Sequence, residues 1–325
     1  KIVAGREKHC IKNRGKLMKY SVVIPMYNSG DWISELVGEI NGVMAKNSYD
    51  YELILVNDCS PKSDTWDKVL ATCEKYHTVH AINLAYNVGQ IKALLCGISH
   101  CTGDYIITMD DDFQHSPQDI PMLISKMTQS KYDCIITQYA EKKHSFIRKQ
   151  GSRFINYLYY KAYGKPQNIT SNSFRIMTPS LAKSICSYKT THPQFGPILF
   201  SLTKNVGTVT IEHKNRKYGN SGYTLKKMIQ ETFNVLFTAT ELPIQLMFML
   251  SFLCFIIFVI NLIIQFMNPS NTMYNSLIAS IFFVGFALLI CLGSLGMYFK
   301  KIFEQLAGPA SHIIKDEVVY GEKKV

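Results

Sequence analysis

The chain has 325 residues, 47% of them hydrophobic, which is room and material for one large or two ordinary folded domains. Its formal net charge is +11, and residues 1–17 alone hold six Lys or Arg against one Glu. The excess that remains is modest for a dedicated nucleic-acid binder; it suits a protein that rests on anionic lipid and handles phosphorylated substrates.

Residues 1–17 read as an upstream extension or added leader and are set aside from fold reasoning. The first apolar run, 21–25, is a buried strand ending in Met26-Tyr27-Asn28-Ser29-Gly30. Asp31 then opens a helix whose apolar face is Trp32, Ile33, Leu36, Val37, Ile40 and Met44. A strand over 51–56 ends in Asn57-Asp58-Cys59-Ser60-Pro61, and a helix covers 64–76. A third strand, 79–84, ends in Ala85-Tyr86-Asn87-Val88-Gly89-Gln90, with a helix over 91–100. A fourth, 105–109, runs into Asp110-Asp111-Asp112-Phe113-Gln114-His115. A helix over 117–130, a strand over 133–138, a strand over 173–177, a helix over 179–187 and a strand over 206–213 follow. Between 139 and 165, Lys142, Lys143, Arg148, Lys149 and Arg153 interleave with aromatic residues, as in a helix at a membrane surface or an ordinary helix with a basic face.

Strands alternating with helices at this spacing predict a mostly parallel sheet with helices on both faces, and such sheets bind ligands at the carboxyl ends of their strands. Four polar clusters fall there: Tyr27-Asn28, Asn57-Asp58, Asn87-Gly89-Gln90 and Asp110-Asp112. Three adjacent carboxylates repel one another unless a cation lies between them. Hard oxygen ligands suit Mg²⁺ or Mn²⁺ shared with a substrate diphosphate. An acidic turn capping the next helix is the competing reading. A dinucleotide-binding dehydrogenase would need G-x-G-x-x-G after the first strand; Pro25-Met26-Tyr27-Asn28-Ser29-Gly30 stands there instead.

From Leu242 to Phe299 the chain has no Asp, Glu, Lys or Arg. A helix needs roughly 20 apolar residues to cross a bilayer, so two spans are expected, about 243–267 and 274–299. An amphipathic helix over 224–241 precedes them, with Leu225, Met228, Ile229, Thr232, Phe233 and Leu236 on one stripe. Lys226, Lys227, Lys300 and Lys301 flank the pair, which places both flanks in the cytosol. Nine cysteines without C-x-x-C spacing give neither a zinc site nor a disulfide framework, in keeping with a cytosolic soluble part.

In their order, Val22-Val23-Ile24-Pro25-Met26-Tyr27-Asn28, Asn57-Asp58-Cys59-Ser60, Asn87-Val88-Gly89-Gln90 and Asp110-Asp111-Asp112-Phe113-Gln114-His115 resemble a family 2 glycosyltransferase of the GT-A fold. Phe174-Arg175, the loop Arg216-Lys217-Tyr218-Gly219-Asn220-Ser221-Gly222-Tyr223 and the C-terminal hairpin are similar to its polyprenyl-phosphate branch, the group of dolichol-phosphate mannose synthase and bactoprenol glucosyltransferases. The resemblance implies a cytosolic catalytic domain over 18–223, the juxtamembrane helix 224–241, two transmembrane helices within 242–299 and a cytosolic tail 300–325. It implies that Pro25, Tyr27, Asn28 and Asp58 hold the base and ribose, with Gln90, Asp110 and Asp111 completing the nucleotide-sugar set. It implies Asp110, Asp112 and Gln114 as ligands of Mg²⁺ or Mn²⁺. Asp112 and Arg216 act in the transfer, and Lys143, Arg148, Arg175, Arg216 and Ser221 meet the acceptor phosphate.

Three departures stand out. Asp111 replaces the family's frequent Ala, Ser173 stands where an Asp often precedes the Phe-Arg pair, and Gly308-Pro309 replaces a C-terminal Arg-Pro. The implied activity is metal-dependent, inverting hexosyl transfer from a UDP- or GDP-sugar to a membrane polyprenyl phosphate. The implied setting is the bacterial inner membrane, with the catalytic domain facing the cytosol. Homo-oligomerisation stays open, no nucleic acid is a partner, and extension of a different glycolipid or polysaccharide acceptor is the alternative.

Overall fold

The computed structural model describes residues 12–13, 16–139, 160, 166, 169, 172–188, 193–212, 249, 252–253, 256, 273–306, 312–319 and 322–324. The chain divides into two compact units: one of residues 1–152, 163–221 and 309–325, the other of 153–162 and 222–308. Lys143, Arg148, Arg216, Ser221, the helix expected over 224–241 and most of the first expected span lie outside the described residues.

The first unit is built on a nine-stranded sheet. In chain order its strands are β1 (Lys19–Met26), β2 (Asp50–Asn57), β3 (Val79–Leu84), β4 (Tyr105–Thr108), β5 (Cys134–Tyr139), β6 (Arg175–Met177), β7 (Val206–Ile211), β8 (Ile314–Val319) and β9 (Glu322–Lys324). Across the sheet they run β9-β8-β3-β2-β1-β4-β6-β5-β7. The central β3-β2-β1-β4 block is parallel, as expected from the strand–helix alternation. β6 enters antiparallel between β4 and β5. Within the leader set aside above, Lys12–Asn13 pairs with Lys16–Leu17.

Side chains alternate faces along each strand, so each central strand feeds two cores. Val22, Ile24, Leu53 and Leu55 face one side and pack on helices α1 (Gly30–Lys46), α2 (Thr65–Lys75) and α4 (Ile120–Thr128). Val23, Ile54 and Val56 face the other and meet α3 (Gln90–Ser99), α5 (Pro179–Cys186) and α6 (Phe195–Leu202). The helices owe their form to the same arithmetic: α1 buries Ile33, Leu36, Val37, Ile40, Val43 and Met44 at three- and four-residue spacing. Each such side chain contributes about 1.5–3 kcal/mol by leaving water. Helix α3 lies especially close to the sheet, because Gly97 has no side chain: a Cβ there would come within 2.4 Å of Val23 Cγ1.

The strand–helix succession through α5 follows the sequence expectation. The sequence reading did not include α6, or β8 and β9, which follow the long apolar region. β8 returns to the first unit and pairs antiparallel with β3, from Ile314 opposite Leu84 to Val319 opposite His80. His80 Nε2 and Glu317 Oε1 lie 2.8 Å apart across that ladder.

In the second unit the long described helix is α7, Met273–Leu306, of 34 residues. At about 1.5 Å per residue it is about 50 Å long. Among the described residues, no helix is long and apolar enough to cross a membrane.

Candidate functional site

The carboxyl ends of β1, β2, β3 and β4 come together, and the expected residues Pro25, Tyr27, Asn28, Asp58, Gln90, Asp110, Asp111, Asp112 and Gln114 follow from these ends. The backbone is unusual there. Asn28, Cys59 and Phe113 all have positive φ, at 61°, 49° and 59°. Left-handed backbone is costly for residues other than glycine and gathers where a site must hold a set shape. Phe113 anchors its turn by burying its ring in the core. The Asp112 carboxylate closes the same turn, with Oδ1 accepting from Gln114 N–H at 3.0 Å.

Asp110 is held from two sides. Its Oδ1 accepts from Gln90 Nε2 at 2.8 Å, and its Oδ2 accepts from the Ser173 hydroxyl. Its own N–H is directed at His115 Nδ1, 3.5 Å away. His115 is 2% exposed and stacks against the Tyr139 ring. A directional relay fixes its tautomer: Nε2–H donates to Asn172 Oδ1 (3.0 Å), Asn172 Nδ2 donates to Thr137 Oγ1 (2.9 Å), and Thr137 Oγ1 donates to the Phe174 carbonyl (2.9 Å). The ring proton therefore sits on Nε2, and Nδ1 is free to accept. Ser173, Asn172 and His115 had no role in the sequence reading. The only available signal was their presence in the two motifs.

Asp111 is tied through its backbone: its carbonyl accepts from Trp32 Nε1 at 2.7 Å, joining the acidic turn to α1. Burial raises its carboxyl to about 6, and the charges of Asp110 and Asp112 add to the rise. The nearby Ser29 hydroxyl lowers it in part, although that hydroxyl makes no hydrogen bond of good geometry.

Asp58 is buried, and both its oxygens are engaged: Oδ1 accepts from Val88 N–H at 2.7 Å and Oδ2 from Gly89 N–H at 2.9 Å. Burial raises its pKa, while these two hydrogen bonds act against the rise. In this geometry Asp58 shapes the loop leading to Gln90, which Gly89 makes possible with φ +89°. Tyr27 is half exposed beside it.

A second chain of hydrogen bonds runs behind these ends. Asn28 N–H donates to Ser60 Oγ (2.9 Å), Ser60 Oγ to Asn57 Oδ1 (2.5 Å), Asn57 Nδ2 to Asn83 Oδ1 (2.8 Å), and Asn83 Nδ2 to Asp316 Oδ2 (3.0 Å). It crosses from β1 to β8. No sequence motif marks Asn83 or Asp316.

Pro25, Gln90, Asp110 and Arg175 line one cavity of about 120 Å³, together with Ile91, Leu94, Thr108, Met109 and Ser173. Arg175 is 3% exposed. Its guanidinium lies 3.9 Å from the Phe195 ring centroid, its Nε donates to the Ser173 carbonyl at 3.3 Å, and its Nη1 has no partner. Burial pushes its pKa down to about 10, against the opposing pull of the Cys134 and Asp110 groups.

Among the described residues no group of three or more His, Cys, Asp or Glu could hold a metal ion by itself. Asp110, Asp112 and the Gln114 side-chain oxygen are nonetheless hard donors of the kind Mg²⁺ and Mn²⁺ take, with ligand oxygens and water completing the shell. The charges of Asp110 and Asp112, which add to the burial-driven rise of Asp111, are what a cation there would relieve. The donor set therefore fits such an ion.

Residues 21–185 match the sequence family described as Glycosyl transferase family 2. The chain belongs to glycosyl transferase family 2. Among its relatives in that family, undecaprenyl-phosphate 4-deoxy-4-formamido-L-arabinose transferase of Yersinia enterocolitica is 27% identical over 93% of this chain and 94% of its own length. The protein of the same name from Erwinia tasmaniensis is 31% identical over 71% of each chain. Among solved structures, glucosyl-3-phosphoglycerate synthase of Mycobacterium tuberculosis, crystallised with Mn²⁺, UDP and glucosyl-3-phosphoglycerate, superposes with a TM-score of 0.51 at 15% identity. That superposition covers 68% of this chain and 78% of the synthase, a likeness of fold. The family 2 domain thus coincides with the strand-end site, and it ends inside α5.

Proposed function

We propose that this family 2 glycosyltransferase moves a sugar from a nucleoside diphosphate to a membrane polyprenyl phosphate. The observation that carries the reading is Asp110. Its carboxylate is clamped by Gln90 and Ser173 and lines a cavity, two residues before Asp112 and the Gln114 turn. A recess lined by Asp110 near the hard oxygen donors of Asp112 and Gln114 supports this reading. The relatives' printed activity, on undecaprenyl phosphate, supplies the acceptor class.

An oxygen of the lipid phosphate attacks the anomeric carbon. The new carbon–oxygen bond forms as the bond to the diphosphate breaks, and the electron pair leaves with the nucleoside diphosphate. Attack opposite the leaving group inverts the anomeric configuration. A phosphate monoester loses its second proton near pH ~6, so no protein base is needed at neutral pH. A bound divalent cation supplies Lewis-acid stabilisation of the leaving diphosphate. Asp110, Asp112 and Gln114 would hold the divalent cation and, through it, the pyrophosphate end; the Tyr27–Asn28 turn and the Asp58-braced loop bound the nucleotide, and Arg175 lines the sugar recess. Lys143, Arg148, Arg216 and Ser221 are assigned to the acceptor phosphate by the family resemblance.

A hydrophobic anchor belongs to the same reading, because a polyprenyl chain stays in the bilayer. Helix α7 is continuous for 34 residues, has no charge before Lys300, and exposes Leu277, Ile281, Leu288, Leu292 and Phe299. A second span over 243–267 and an inner-membrane location with the first unit in the cytosol complete the proposal.

The test is transfer from a panel of UDP- and GDP-sugars by the full chain in vesicles containing undecaprenyl phosphate, with Mg²⁺, with Mn²⁺ and with chelator. A phosphate-linked glycolipid should form only with metal. Asp112→Ala should lower the rate at least about 100-fold, the scale of losing a group that stabilises transition-state charge, while the protein stays folded. A product without a sugar–phosphate linkage overturns the proposal.

A further inference from the structure

The recess lined by Arg175 lies at the start of helix α3, because Gln90, Ile91 and Leu94 form part of its wall. The first N–H groups of a helix have no partner within it, and the aligned peptide dipoles leave that end partly positive. The Asp58 carboxylate takes the N–H groups of Val88 and Gly89, ahead of the helix. The Gly89 cap has no side chain to offer the first turn, and that turn contains no acidic residue.

Arg175 adds a full positive charge to the same recess. Its Nε donates to the Ser173 carbonyl and its guanidinium packs on the Phe195 ring, so the group is held from two sides. Nη1 is buried without a partner. A buried donor that lacks an acceptor is costly, so the recess favours a ligand that brings oxygen atoms. The planar guanidinium fork suits the oxygens of a phosphate. Asp110 lines the recess too. With a divalent cation on its carboxylate, as the donor set fits, the helix end and Arg175 leave the recess positive. At about 120 Å³ it has several times the room one water needs.

Two phosphates meet in the reaction, that of the donor and that of the acceptor lipid. The wall favours the donor: Pro25, Gln90 and Asp110 come from the ends of β1, β3 and β4, which carry the nucleotide-side motifs. We propose that Arg175 and the first turn of α3 bind the sugar-bearing phosphate of the donor and stabilise it as it leaves. Arg175 Nη1 donates to a non-bridging oxygen of that phosphate. As the bond to the anomeric carbon breaks, its electron pair passes to the departing phosphate oxygen, and charge grows where a fixed cation and a helix end already face it. Arg175 is then a catalytic residue on the leaving group and not a contact of the acceptor phosphate. The inference rests on the transfer reading for the identity of the ligand, a nucleoside diphosphate.

Calorimetry on the full chain in vesicles with Mg²⁺ compares UMP with UDP and GMP with GDP. Arg175→Met should weaken the diphosphate at least about 10-fold, the scale of a hydrogen bond to a charged group, and the monophosphate less than about 2-fold. The retained monophosphate binding reports that the variant is folded; should it unfold, Arg175→Gln takes its place in the same comparison. Arg175→Lys, which keeps the charge without the fork, should recover part of the loss. In transfer assays kcat should fall at least about 10-fold while the KM for undecaprenyl phosphate stays within about 2-fold. Equal losses on mono- and diphosphate, unchanged diphosphate binding, or an effect confined to the KM of the lipid overturns the inference, the last by giving Arg175 to the acceptor. A wild-type chain that transfers no sugar to the lipid sinks the transfer reading alone, and the binding comparison still decides the inference. If the wild type binds no nucleotide, inorganic pyrophosphate is the probe: binding that Arg175→Met abolishes upholds the site, and no binding or binding indifferent to Arg175→Met overturns it.

Discussion

Asp110 is fixed through both of its polar faces. Gln90 and Ser173 hold its carboxylate, and His115 receives its backbone N–H. Replacing His115 by Phe keeps an aromatic ring against Tyr139 and Phe174 but leaves the Asp110 N–H and the Asn172 Oδ1 without partners. Each unpaired group costs about 1–3 kcal/mol. The melting temperature should fall by several degrees, and transfer should slow because the Asp110 carboxylate loses its set position. His115→Gln, which can still accept and donate, should recover part of the rate. Thermal unfolding followed by steady-state kinetics would check this; a His115→Phe protein with wild-type rates would remove the positioning role. The Asp-Asp-Asp run was legible in sequence as a charged site at a strand end. Its clamp was not, because Ser173, and Asn172 behind His115, come from the segment leading into a strand that enters the sheet out of chain order.

At the scale of elements, β8 matters most. It comes after the long apolar region, yet it pairs with β3 and places Asp316 against Asn83, 233 residues earlier in the chain. The Asn28–Ser60–Asn57–Asn83–Asp316 chain then links this late strand to the carboxyl end of β1. Asp316→Ala removes the terminal acceptor and frees Asn83 and Asn57 to reorient. The KM for the nucleotide sugar should rise about 3- to 10-fold, with a smaller change in kcat, and Asp316→Asn should restore much of it by offering a carbonyl oxygen. Kinetics at varied donor and saturating lipid give that split; an unchanged KM would show that the chain ends before it reaches the nucleotide. The helices α1 to α5, by contrast, were readable in advance. The apolar stripe of α1 and the strand runs 21–25 and 51–56 each state their own burial pattern, since period and face are local properties.

For the whole molecule, Glu52 ties three segments at the end of the sheet away from the site. Burial pushes its carboxyl up, but Lys19 Nζ at 2.7 Å, Ser21 Oγ at 2.5 Å and the N–H and hydroxyl of Thr102 at 2.6 and 2.7 Å outweigh burial and hold it below the usual carboxylate range. A carboxyl whose folded pKa is depressed contributes stability that is present above its unfolded value and lost as pH falls through the folded one. The first unit should therefore lose stability as the pH falls through the carboxylate range, and Glu52→Gln should be less stable at pH 7 while showing a flatter pH dependence in that acid range. Urea unfolding at pH 7, 5 and 3.5 measures both. A variant with the same acid slope as the wild type would assign the slope to other carboxylates.

The sequence alone determined the strand–helix succession through α5, the strand-end location of the site, the acidic turn and the family, because hydrophobic period and short motifs are written along the chain. Tertiary structure decided which groups face one another. It placed β6 antiparallel beside β4, which brings Ser173 to Asp110 and Arg175 into the same cavity, and it returned β8 to the edge of β3. Those contacts depend on sheet order and register between distant segments, and no periodicity within a segment encodes its neighbour. The buried, incompletely paired guanidinium of Arg175 is the clearest case: in sequence it is one residue of a Phe-Arg pair, and only the fold takes it out of water and leaves it facing a recess.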